Sequence, residues 1–158
     1  MGKDKKVKAE VEEETEEQPS LLKRVMTITI DYQGEDIELD LASSLRIGDD
    51  VDEEIDSAAA DLQFINALLA HAMEEHEAAK DEMVVWEAER DEAAREELSR
   101  PTEMKVHTEI RRNPKWLKKK NSLRKKHRLV NLLKGAAEAY KVKADMVRTK
   151  ASNLRKEV

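Results

Sequence analysis

The sequence predicts an elongated, mainly α protein. Long antiparallel helices would form a coiled-coil-like bundle, carry one small N-terminal β-hairpin and assemble as an oligomer. Three observations lead there. Of 158 residues, 41% are charged and only 3% aromatic, so a thick layered core has too little to fill it. The abundance of Ala, Leu, Glu, Lys and Arg suits long helices that bury narrow stripes. Apolar residues recur at steps of three and four over residues 50–99 and again toward the C-terminus, whereas only residues 25–41 alternate with period two.

Residues 1–24 are a lysine cluster followed by a glutamate run, with almost nothing to bury, and read as a disordered charged arm. Such an arm is either a solubilising tail or a mobile acidic cover for a cationic partner segment. Residues 25–41 read as a β-hairpin. Ile28, Ile30 and Tyr32 alternate with Thr27, Thr29 and Asp31, and Ile37, Leu39 and Leu41 alternate with Glu38 and Asp40. Gln33-Gly34-Glu35-Asp36 supplies the turn. An isolated two-stranded hairpin is marginal in water, so its apolar face needs helices or another subunit against it.

Residues 42–158 read as a helical domain. A first long helix, 50–99, starts at Asp49 or Asp50 as cap and stops at Arg100-Pro101. Its seam runs through Ile55, Ala58, Leu62, Ile65, Leu69, Ala72, His76, Ala79, Met83, Trp86 and Ala93. A helix of that length buries its seam only against an antiparallel return or against other chains. A short helix, 102–112, opens at Thr102-Glu103. Asn113-Pro114, a cap followed by a first-turn proline, opens a second long helix, 114–156. Its seam is Leu129, Leu133, Ala136, Tyr140, Val147 and Leu154, with Gly135 suggesting a close helix approach beside Ala136 and Ala139. The core or oligomer contact should therefore centre on Leu62, Ile65, Leu69, Met83, Trp86, Leu129, Leu133, Tyr140 and Val147.

Charge is segregated along the chain. Residues 1–49 carry net -6, residues 50–100 net -13 and residues 101–158 net +13. Within the last third, RRNPKWLKKKNSLRKKHR (111–128) holds ten Lys or Arg and no acid. Arg111, Arg112, Lys115, Lys118, Lys119, Lys120, Arg124, Lys125, Lys126 and Arg128 repel one another on a helix, so something anionic is needed to offset them. A nucleic-acid backbone, an acidic protein partner and solvent are the three candidates. The cations surround the helix, so one acidic helix matches only part of them, which favours phosphates and their counterion release. Trp116 is either a stacking surface for an unpaired base or an anchor at the helix start. Nothing in the segment reads base edges.

No phosphate-binding glycine loop, GxGxxG, GxSxG or HExxH motif is present, and an enzyme is not expected. No cysteine is available for a disulfide, a thiolate zinc site or a thiol nucleophile. His71 and His76 are five apart and point to different helix faces, His107 and His127 lie among cations, and neither a metal nor a cofactor is expected. No apolar run approaches a membrane span, and a cytoplasmic location is expected.

The stretch PTEMKVHTEIRRNPKWLKKKNSLRKKHRLVNLLKGAAEAYKVKADMV resembles the end of phage UvsY-type recombination mediators. The matching residues are Thr102, Glu103, Pro114, Leu123, Leu129, Leu133, Lys134, Ala136, Ala139, Tyr140, Lys143, Asp145 and Met146, and the likeness spans roughly residues 50–155. The resemblance implies a non-enzymatic protein of the host cytoplasm that binds single-stranded DNA and forms ring-like oligomers. It also implies one that helps a recombinase replace single-strand-binding protein. The acidic arm and the hairpin are not part of that family's pattern. Two other readings stand beside it: a scaffolding coiled coil of virion assembly whose acidic and basic helices pair between subunits, and an RNA-binding or ribosome-associated helical protein.

Overall fold

The computed structural model describes residues 21–156. The arm expected over residues 1–24 lies largely outside them. Its last residues belong to a short helix α1, Leu21–Met26, so the strand expected from Val25 starts two residues later. Leu, Lys, Arg and Met are good helix formers, and the β-branched run begins only at Thr27.

Strands β1 (Thr27–Tyr32) and β2 (Glu35–Asp40) pair antiparallel, with Ile28 opposite Leu39 and Ile30 opposite Ile37. The turn is two residues long. Gln33 and Gly34 both have positive φ, 57° and 87°, the hand that matches the twist of the strands. Glu35 and Asp36, expected in the turn, belong to β2. The Asp31 carboxylate accepts a hydrogen bond from the Gly34 N–H at 3.0 Å. Asp40 caps a one-turn helix α2, Leu41–Ser44, which was not expected.

Helix α3, Val51–Glu97, runs 47 residues, about 70 Å at 1.5 Å per residue. The Asp50 side chain accepts from the Asp52 and Glu53 N–H groups, and Asp52, Glu53 and Glu54 face the positive end of the helix dipole. Helix α4, Glu103–Arg112, is capped by Thr102. Helix α5, Pro114–Leu154, is capped by Asn113 and returns antiparallel along α3.

The core lies between α3 and α5 in three patches. At the centre Ile65, Leu68 and Ala72 meet Val130, Leu133, Ala136, Ala137 and Tyr140. The hairpin lays Ile28, Ile30 and Leu39 over that junction, with Tyr32 and Ile37 at its margin, and Leu41, expected on the hairpin face, joins them from the first position of α2. The apolar hairpin face therefore rests on helices of its own chain. Toward one end Val51 meets Val147 and Ala151. At the other Ala94, Val106 and Ile110 gather Trp86, Leu98 and Trp116 around them.

Most of the expected seam residues are turned inward, but Leu154, placed on the seam at the end of α5, is exposed. Ile65, Met83, Leu133, Tyr140 and Val147 are buried, and Leu62, Leu69, Trp86 and Leu129 are half-buried. Two further positions differ. Leu68 is fully buried where only Leu69 was expected, because the hairpin packs on the same side and widens the covered stripe beyond a coiled-coil seam. Ala94 rather than Ala93 is deepest at the α4 end, where a third helix joins the pair. Gly135 does not sit at a close approach within the chain. It is exposed, and a Cβ built there would meet nothing within 4 Å.

Candidate nucleic-acid interface

The cationic segment divides into two faces on the folded helix. Antiparallel pairing sets the start of α5 against the acidic second half of α3. Lys119 Nζ lies 3.5 Å from Glu82, and Lys126 Nζ lies 2.7 Å from Glu75. Lys120 is half-buried on the same inward side. These residues are the portion of the cation density that one acidic helix can reach.

The remainder points outward. Arg111 and Arg112, in the last turn of α4, and Lys115, Lys118, Arg124, Lys125 and Arg128, on α5, are exposed. None of them forms an ion pair with another described residue. From Lys115 to Arg128 the row covers about 20 Å of helix axis. Asn121 and Ser122 lie between the cations and add neutral hydrogen-bonding groups. Leu117, 53% exposed, is the one apolar side chain on this outer surface between Pro114 and Arg128.

Trp116 faces inward. It is half-buried against the Ala94, Val106 and Ile110 patch, and its indole Nε1 donates to Glu87 at 2.9 Å. Trp116 thus sits as an anchor at the start of α5, with its ring packed on that patch rather than presented on the outer cationic surface. A cleft of about 390 Å³ between α3, α4 and α5 is walled by Glu87, Asp91, His107, Arg111, Trp116 and Lys120, among others. The Arg95 guanidinium, 2.6 Å from Asp91, holds that carboxyl below the usual aspartate range. Arg95 also reaches Glu103 at 2.7 Å and so ties α4 to α3.

The histidines are not gathered into one cluster. His71 packs edge-on against Tyr32 of the hairpin, and His76 meets His127 across the helix pair with ring centroids 5.3 Å apart. Among the described residues, no group of three or more His, Asp or Glu is placed to hold a metal ion, and no helix is long and apolar enough to cross a membrane.

At the opposite end of the helix pair one ionic site escaped the sequence. Lys143 is buried, its Nζ lies 2.8 Å from Glu54 and it donates to the Ser44 carbonyl at 2.9 Å. Glu54 also accepts from the Gly48 N–H at 2.8 Å. The Lys143 ammonium first, and the Gly48 N–H second, hold the Glu54 carboxyl below the usual glutamate range. This site fastens the 45–50 connection to both long helices.

No family model, curated protein or solved structure matches this chain.

Proposed function

We propose that this chain is a non-enzymatic single-stranded-DNA-binding protein of the recombination-mediator kind. It would help a recombinase replace single-strand-binding protein on DNA. The observation that carries the binding half of this reading is the outer row Arg111, Arg112, Lys115, Lys118, Arg124, Lys125 and Arg128. These exposed cations have no carboxylate partner among the described residues, while their inward neighbours Lys119 and Lys126 are matched by α3. A phosphate backbone offsets the mutual repulsion of such a row and releases counterions as it binds. The choice of single strands, and the recombinase and single-strand-binding protein as partners, come from the resemblance to UvsY-type mediators. The row contains no fixed fork of donors aimed at base edges, so sequence preference should be slight.

The test is fluorescence anisotropy with labelled single-stranded and duplex oligonucleotides over a salt series. If four to seven of the outer cations engage, log K should fall with log salt at a slope of about -3 to -5 for a single strand. Binding to single strands at about 150 mM salt, tighter than to duplex, supports the reading. An absence of binding at that salt would overturn it and favour the scaffolding alternative.

A further inference from the structure

The outer cationic row has a counterpart in the sequence of the same chain. EVEEETEE, residues 10–17, holds Glu10, Glu12, Glu13, Glu14, Glu16 and Glu17 and no cation. It lies outside the described residues and is tied to them at Leu21, the first residue of α1. We infer that this glutamate stretch docks on the outer row of its own chain, at the end formed by Arg124, Lys125 and Arg128.

Reach permits it. Tyr32, at the end of β1, packs on His71, and His76 meets His127 across the helix pair. The end of β1 is therefore level with the turn of α5 just after Arg128, about 5 Å along the axis. From Tyr32 back to Thr27 the strand covers about 17 Å, and α1 adds about 9 Å even when set head to tail with it. Leu21 is then about 30 Å from Arg128 along the pair. An extended chain covers up to about 3.5 Å per residue, so Glu10 extends to about 38 Å from Leu21. The stretch gets to Arg128 and on to Lys125 and Arg124. Tethered so closely, it competes for the row at an effective concentration in the millimolar range.

Charge selects the place. Residues 50–100 carry net -13, so the α3 side repels a glutamate run. Beyond Arg128 the exposed charges of α5 alternate, Lys134, Glu138, Lys141, Asp145 and Arg148, and such a run meets like charge at every second position. Arg124, Lys125 and Arg128 put three exposed cations within five residues, and among the described residues no carboxylate pairs with them. Glutamates laid there relieve the mutual repulsion of the row. They also hold the positions that phosphates would take, so a strand binding there has to displace them. This contact needs the outer row to be open and does not need the row to bind DNA.

Paramagnetic relaxation on the full chain, without nucleic acid and at low salt, tests the contact. The chain has no cysteine, so a nitroxide on Val11→Cys reports alone. Amide broadening should peak over residues 122–130. Changing the six glutamates to Gln should remove the peak with unchanged far-UV circular dichroism, and so should salt near 1 M, where the Debye length is about 3 Å. Isotope-labelled, untagged chain mixed with tagged, unlabelled chain should show no peak. A maximum elsewhere, a peak that survives the Gln changes, or a peak in the mixture would each overturn the docking within one chain. A single-stranded oligonucleotide added last separates this contact from the DNA reading. Release of the peak supports both, whereas a peak that stays upholds the arm contact and counts against DNA binding at the row.

Discussion

Lys143 shows how far a residue's role departs from its type. A lysine in a helix of 41 residues reads as a surface charge, yet this one is buried between Glu54 and the Ser44 carbonyl. No local pattern announces it, because its partners lie about ninety and a hundred residues away. Lys143→Met should cost about 2–3 kcal/mol, since the Glu54 carboxylate and the carbonyl lose their cation while the aliphatic stem is kept. Chemical denaturation measures it. The pH dependence has a definite sign. The folded-state pKa of Glu54 is lowered, so its contribution is complete above the unfolded value of about 4.3 and fades as pH falls through the lower folded one. Glu54→Gln should flatten the acid limb of the stability curve there. Leu133, fully buried, was legible from its seam position, and Leu133→Ala should cost about 3 kcal/mol. Leu117→Ala, on an exposed apolar residue, should stay within about 0.5 kcal/mol.

Among elements, those with strong punctuation were legible. Asp50, Thr102 and Asn113-Pro114 each place a side-chain acceptor over the first turn of a helix, and all three helices begin there. The hairpin's face was readable because alternation fixes which residues share a side. The short elements α1 and α2 were not legible, being six and four residues with no full period to detect. The width of the buried stripe was also hidden, since it depends on which third element covers the pair. Trp116 illustrates the limit for the site: a tryptophan among lysines fits base stacking or anchoring equally, and only the junction of α3, α4 and α5 orients it. Trp116→Ala should loosen that end alone. Amide exchange is expected to quicken in α4 and in α3 from about residue 86 onward, while the centre around Ile65 and Leu133 keeps its protection. Uniform loss of protection along both helices would contradict three separate core patches.

For the whole molecule, charge segregation is what couples fold and proposed function. The acidic helix α3 and the basic third of the chain lie alongside each other, so part of each charge neutralises the other within one chain. The basic side keeps an unmatched outer row, and that excess is what a polyphosphate would read. The sequence disclosed the cation density but not its division into a matched and an unmatched face, because the division depends on the register of α5 against α3. The measurement that separates the two faces uses variants of equal charge. Lys118→Ala/Lys125→Ala removes two outward cations, and Lys119→Ala/Lys126→Ala removes two inward ones. Both change net charge by the same amount. Single-stranded DNA binding is then followed by anisotropy over a salt series. The outward pair should weaken binding and reduce the salt slope by about 1.4, whereas the inward pair should leave the slope unchanged. Equal effects from the two pairs would contradict a phosphate-binding outer row, because net charge alone would then govern the affinity.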